Sequence, residues 1–148
     1  MGDIIKQLER ARAFELEVGV EMEHIERLHR ISRRVSSDGR GGTEYAAKIV
    51  EKLAELERGL NRTIDLTADA KRAALEALSL LEGEERAVLF SYYILAKDWS
   101  ATAAELYMSE RRVYILRKSA LEKLEKSVYG KRRKGRGNGN RTKNKAAS

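Results

Sequence analysis

Apolar residues recur every three or four positions along most of the chain, and that period predicts helices throughout. Between about Asp3 and Val35 the apolar positions are Ile4, Leu8, Ala11, Phe14, Val18, Met22, Ile25, Leu28 and Val35. This spacing describes one amphipathic helix of many turns. Gly19 sits inside it and costs about 1 kcal/mol relative to alanine, which neighbouring turns absorb. The run SSDGRGGT at 36–43 then supplies three glycines among several turn formers. It predicts the loop of a helical hairpin, with Thr43 capping the next helix.

From Ala46 a heptad seam runs through Ile49, Leu53, Leu56, Leu60, Thr63, Thr67, Ala70, Ala74, Ala77 and Leu81, alternating by three and four without a slip. Its first half is rich in leucine and its second in small residues, a coiled-coil signature with closer packing toward the end. One helix cannot bury such a seam alone. Either the first helix folds back on it or a second copy of the chain supplies the partner, and Ile49, Leu53, Leu56 and Leu60 are the oligomerisation candidates for a homodimer.

Gly83 breaks the pattern. Beyond it, GEERAVLFSYYILA (83–96) predicts a helix, and Ser100 is the expected cap of a short helix over Ala101 to Tyr107. Met108 and Ser109 form a turn, and Ser109 caps a final helix to about Val128, with Gly130 as its stop. The predicted fold class is all-α. It has a long helical hairpin or coiled-coil arm over 1–82, a three-helix helix-turn-helix domain over 83–129, and a basic tail over 130–148.

Composition adjusts this picture at three points. Charged residues make up 36% of the 148 positions and proline is absent, which suits long solvated helices and removes the commonest helix breaker. There is no cysteine, which excludes disulfides and thiolate zinc sites and suggests the cytoplasm. No apolar run is long enough for a membrane span, and the acidic N-terminal stretch lacks a signal-peptide core.

The net charge of +7 is unevenly placed. Eight basic residues and no acid lie between Gly130 and Ser148: Lys131, Arg132, Arg133, Lys134, Arg136, Arg141, Lys143 and Lys145. Taking these eight from the 30 basic residues leaves 22 against 23 acids in 1–129, a net of −1. A Gly/Asn/Lys/Arg tail buries too little to offset its ordering entropy, so disorder is expected, with a polyanion as partner.

Chemistry concentrates in WSATAAELYMSERRVYILRKSALEKL, residues 99–124. The small residues Ala101, Ala103 and Ala104 permit a close helix crossing. Trp99, Ala103, Leu106, Val113, Leu116, Ala120 and Leu124 can share one apolar surface. Glu110, Arg111, Arg112, Tyr114 and Lys118 then face away from it. In a helix-turn-helix the start of the second helix enters the major groove, where arginine pairs bidentately with guanine. These five are the base-reading candidates; Ser109, Arg117, Lys123 and the tail residues Lys131, Arg132, Arg133, Lys134 and Arg136 are the phosphate candidates. The alternative is a solvated face, since 83–129 holds eight basic and seven acidic side chains.

The layout of HIERLHRISRRV, the glycine loop, YAAKIVEKLAELE, ERAVLFSYYI, the tryptophan opening the short helix, and SERRVY resembles a family of small phage and prophage proteins. In these an N-terminal helical arm precedes a domain similar to region 4 of sigma-70 factors, with a looser relation to ArpU- and RinA-type late-gene regulators. The resemblance implies promoter reading by Glu110, Arg111, Arg112, Tyr114 and Ile115. This chain departs from the family pattern at Tyr92 (usually basic), Ala96 and Tyr107 (usually glycine) and Thr102 (usually isoleucine). A turn position that prefers positive φ is costly for tyrosine.

Other constellations are weaker. Glu21/His24 and Glu26/His29 have the spacing of carboxylate-bridged metal motifs but sit in a helix dense with charge, so no metal is expected. The GRGG and GRGNG runs are not phosphate cradles, and no nucleophile–base pair presents itself, so neither enzyme activity, cofactor nor small-molecule substrate is expected. The expected function is a DNA-binding transcriptional regulator, phage or prophage encoded, acting as a homodimer on double-stranded DNA near the host nucleoid. RNA polymerase is a candidate second partner. A DNA-packaging recognition subunit of small-terminase type, and a module binding RNA polymerase without DNA, are the alternatives.

Overall fold

A computed structural model describes residues 3–38 and 42–127. All regular structure among them is helical: α1 (Asp3–Asp38), α2 (Thr43–Leu78), α3 (Gly83–Leu89), a π-helical turn (Phe90–Ile94), α4 (Trp99–Glu105), and α5 over 110–127. The basic run with Lys131, Arg132, Arg133, Lys134 and Arg136, and the expected helix end near Val128 and Gly130, lie outside the described residues. No helix among the described residues is long and apolar enough to cross a membrane.

The two 36-residue helices α1 and α2 lie antiparallel, because their apolar stripes match in reverse order. At one end Ile25 of α1 meets Ile49 and Leu53 of α2, flanked by Leu28, Val35, Leu56 and Leu60. At the other, Ile4, Leu8 and Ala11 meet Ala70, Ala74, Ala77 and Leu78. The small residues in the second half of the α2 seam let the helices approach closely there. Ile49, Leu53, Leu56 and Leu60, expected as oligomerisation residues, therefore pack against α1 of their own chain.

The seam turns polar between its two apolar ends. Thr63 Oγ1 donates to Glu21 Oε2 at 2.8 Å, and Gly59 stands opposite the same carboxylate. Glu21 thus occupies the position expected for Met22, which is 52% exposed. The physical reason is register: residues 14, 18, 21, 25 and 28 keep the seven-residue repeat that faces α2, and position 22 falls outside it.

Two expected caps are corrected. α2 begins at Thr43 itself, after Gly42 at φ 31°, with no side-chain capping bond. α4 begins at Trp99, and its cap is Asp98, whose carboxylate accepts from the Ala101 N–H at 2.7 Å; Ser100 already lies within the helix. Ser109 does cap α5, accepting from the Arg112 N–H at 3.1 Å.

The main core crosses the boundary expected at 82/83. It joins Ile4, Leu8, Ala11, Ala74 and Leu78 to Val88, Leu89, Tyr93, Ile94, Ala103, Val113, Ala120 and Leu124. Leu8, Leu78, Leu89 and Leu124 are fully buried, so the first three turns of α1 help to hold α5 in place.

Candidate nucleic-acid interface

The site is built on α4, the turn after it, and α5. Met108 N–H donates to Ala103 O at 2.9 Å and Tyr107 N–H to Ala104 O at 3.3 Å, the two bonds of a Schellman motif. That motif places one residue in the left-handed region, and Tyr107 occupies it at φ 56°. Its side chain is 97% exposed, so no packing offsets the strain. A second left-handed residue, Ala96 at φ 57°, ends the π-helical turn, where the Lys97 N–H reaches back to Ser91 O.

α5 is anchored by Val113, Ala120 and Leu124, all buried. The helical period then turns Arg111, Ile115 and Lys118 to the far side, with Tyr114 beside them. The five expected base readers, Glu110, Arg111, Arg112, Tyr114 and Lys118, are all exposed. They are not equivalent. Arg112 forms an ion pair with Glu84 at the start of α3, at 2.5 Å. Arg111 and Lys118 form no ion pair with a described residue.

The expected phosphate contacts divide similarly. Ser109 is exposed beside its capping bond. Lys123 is paired with Glu85 at 2.5 Å. The Lys123 ammonium, and after it the Ser119 hydroxyl, hold the Glu85 carboxyl below its ordinary pKa against partial burial. Arg117 is half-buried and lays its guanidinium over the Trp99 ring, 4.8 Å from the centroid. It packs inward and stands apart from the outer row.

Arg117 belongs to a stacked column that sequence reasoning missed. Tyr92 and Trp99 stack face to face with centroids 3.6 Å apart, and Arg12 of α1 lies over the opposite face of Tyr92 at 3.9 Å. The π-helical turn spends the Phe90 and Ser91 carbonyls on Leu95 and Lys97. Arg12 Nη1 donates to Tyr92 O at 2.8 Å and to Lys97 O at 3.1 Å. One arginine thus satisfies two carbonyls at an irregular helix end. Its position beside Ala11 on the buried edge of α1 was the available signal. Behind the column, burial pushes the Tyr93 phenol above its ordinary pKa.

Thr102 is fully buried, and its hydroxyl lies 3.0 Å from that of Ser91, so the polar substitution in this small core is matched by a partner. Among the described residues no group of three or more His, Cys, Asp or Glu side chains is placed to hold a metal ion. His29 stands 3.7 Å from Glu57 on the exposed side of the arm. No family model matches the sequence, and neither the curated proteins nor the solved structures contain a match.

Proposed function

We propose that this chain is a sequence-specific binder of double-stranded DNA, a transcriptional regulator of phage or prophage type, with α4 and α5 acting as a helix-turn-helix. The observation that carries the reading is the outer row of α5. Among the described residues Arg111 and Lys118 form no ion pair, and both lie on the side of α5 away from the core, with Arg111 in the first turn after the Ser109 cap. A capped start leaves further backbone N–H groups and the positive helix end available to phosphates. Arg111 is the best candidate for a bidentate guanine contact, while Arg112 must first leave Glu84. Basic residues of 130–148 would add contacts that do not depend on sequence.

Selection of fragments from a random DNA pool by the full-length protein tests this directly. An enriched motif is expected, and Arg111→Ala should reduce discrimination at one base pair by about 1–3 kcal/mol. Equal losses on selected and random DNA would refute base reading. Deleting 130–148 should flatten the dependence of log K on log salt by about 0.9 per phosphate contact removed.

Self-association is a second element of the proposal. With the α2 seam filled by α1, a homodimer would use the opposite side of α1, where Leu16, Val20 and Ile31 are exposed at helical spacing. Sedimentation equilibrium should detect a dimer that Leu16→Glu with Val20→Glu converts to monomer. A native protein that sediments as a monomer refutes this element.

A further inference from the structure

We infer that Ile115 is a specificity residue that reads the 5-methyl group of thymine. The inference rests on the DNA-binding reading above and names what the outer row of α5 recognises. Ile115 is 55% exposed, although it is a large β-branched residue on a helix whose inward side is well buried. It lies between Arg111 and Lys118 at spacings of four and three, so the three side chains form one row along the helix. That row spans about 10 Å, the rise of roughly three base pairs.

The ordering of the row identifies its counterpart. A cation at each end suits guanine O6 and N7 or a backbone phosphate, and the apolar group between them suits an apolar feature flanked by such acceptors. In the major groove the thymine methyl group is that feature. A protein partner fits less well. A stable protein interface needs about 800 Å² from each side with an apolar centre, whereas Ile115 is bounded along its row by Arg111, Lys118 and Glu122. Tyr114, 60% exposed, lines a groove with Ile5, Arg117 and Leu121 that also takes in Lys118 and Glu122 but not Ile115. It stands next to the reading position without sharing it.

The test uses the DNA site selected by the full-length protein, with each thymine replaced in turn by uracil, which removes only the methyl group. One or two positions should lose about fourfold in affinity, the value of one buried methyl. Ile115→Ala should abolish the difference between thymine and uracil at one of them, with the thermal midpoint unchanged because the side chain is largely outside the core. Arg111→Ala should leave that difference intact. If uracil is tolerated at every thymine while the protein still selects a sequence, the thymine reading fails and DNA binding stands. If Ile115→Ala retains the thymine preference, the contact belongs to another residue and the assignment to Ile115 fails. If the protein selects no DNA at low salt, the functional proposal falls and takes this inference with it.

Discussion

Replacing Tyr107 by glycine should stabilise the protein. An L-residue in the left-handed region costs about 1–2 kcal/mol relative to a relaxed conformation. Glycine returns about 0.4–1 kcal/mol of that through the greater freedom of its unfolded chain. The side chain is 97% exposed, so its removal loses almost no burial. The net gain is about 0.5–1 kcal/mol, or roughly 1–4 °C in Tm for a chain of this size. Tyr107→Ala supplies the control, because it removes the same ring while keeping the left-handed strain. It should lie within about 0.5 kcal/mol of the native protein. Urea and thermal denaturation of all three proteins give the comparison. If the glycine variant is no more stable than the alanine variant, Tyr107 is not held at positive φ, and the turn between α4 and α5 has another geometry.

Three further outcomes follow from the packing around this turn. The Glu85 pKa is lowered in the folded protein, so its contribution is present above the unfolded carboxylate value and is lost as pH falls through the folded one. Glu85→Gln should therefore cost about 0.5–1 kcal/mol at pH 7, limited because Lys123 is 61% exposed, and the gap should close as the pH falls below the ordinary carboxylate range; a constant gap would refute the pairing. Thr102→Val leaves the Ser91 hydroxyl without its partner and should cost about 1–2 kcal/mol, whereas combining it with Ser91→Ala should cost less than the sum; additive urea-denaturation costs would refute the coupling. Arg12→Ala should destabilise by about 2 kcal/mol and change the emission of Trp99, the sole tryptophan, and Arg12→Lys should not restore either, since an ammonium cannot both stack and bridge two carbonyls. Full rescue by lysine would show that charge alone matters there.

The all-helical character was legible because it rests on a strong local signal. Ile25, Ile49 and Leu53, like Ile4, Leu8 and Ala74, keep the helical period and end up buried. What periodicity cannot supply is the identity of the partner across a seam. The stripe through Ile49 and Leu53 reads equally well as an intrachain or an interchain contact, and only the reversed match with α1 separates the two. Register near a polar interruption is similarly hidden. Met22 satisfies the hydropathy pattern, yet Glu21 faces Thr63, because the seven-residue repeat continues through a hydrogen bond. Arg12 was missed for a related reason. Its role depends on carbonyls 80 and 85 residues away that a π-helical turn leaves available, and no local pattern announces that turn.

These hidden contacts alter how the arm should be understood. The boundary expected at 82/83 tracks Gly83, but Leu8 and Leu78 are buried in the same core as Leu89 and Leu124. Arg12 then fixes α1 to the segment that leads into α4. The base of the arm is therefore part of the scaffold that aims α5, while the distant cluster of Ile25, Ile49 and Leu53 only holds the two long helices to each other. A displacement at that far end can reach the outer row of α5 only through the base of the arm, where α1 and α2 share a core with Leu124. The stacked column of Arg12, Tyr92, Trp99 and Arg117 adds to that shared core a second contact between α1 and α5.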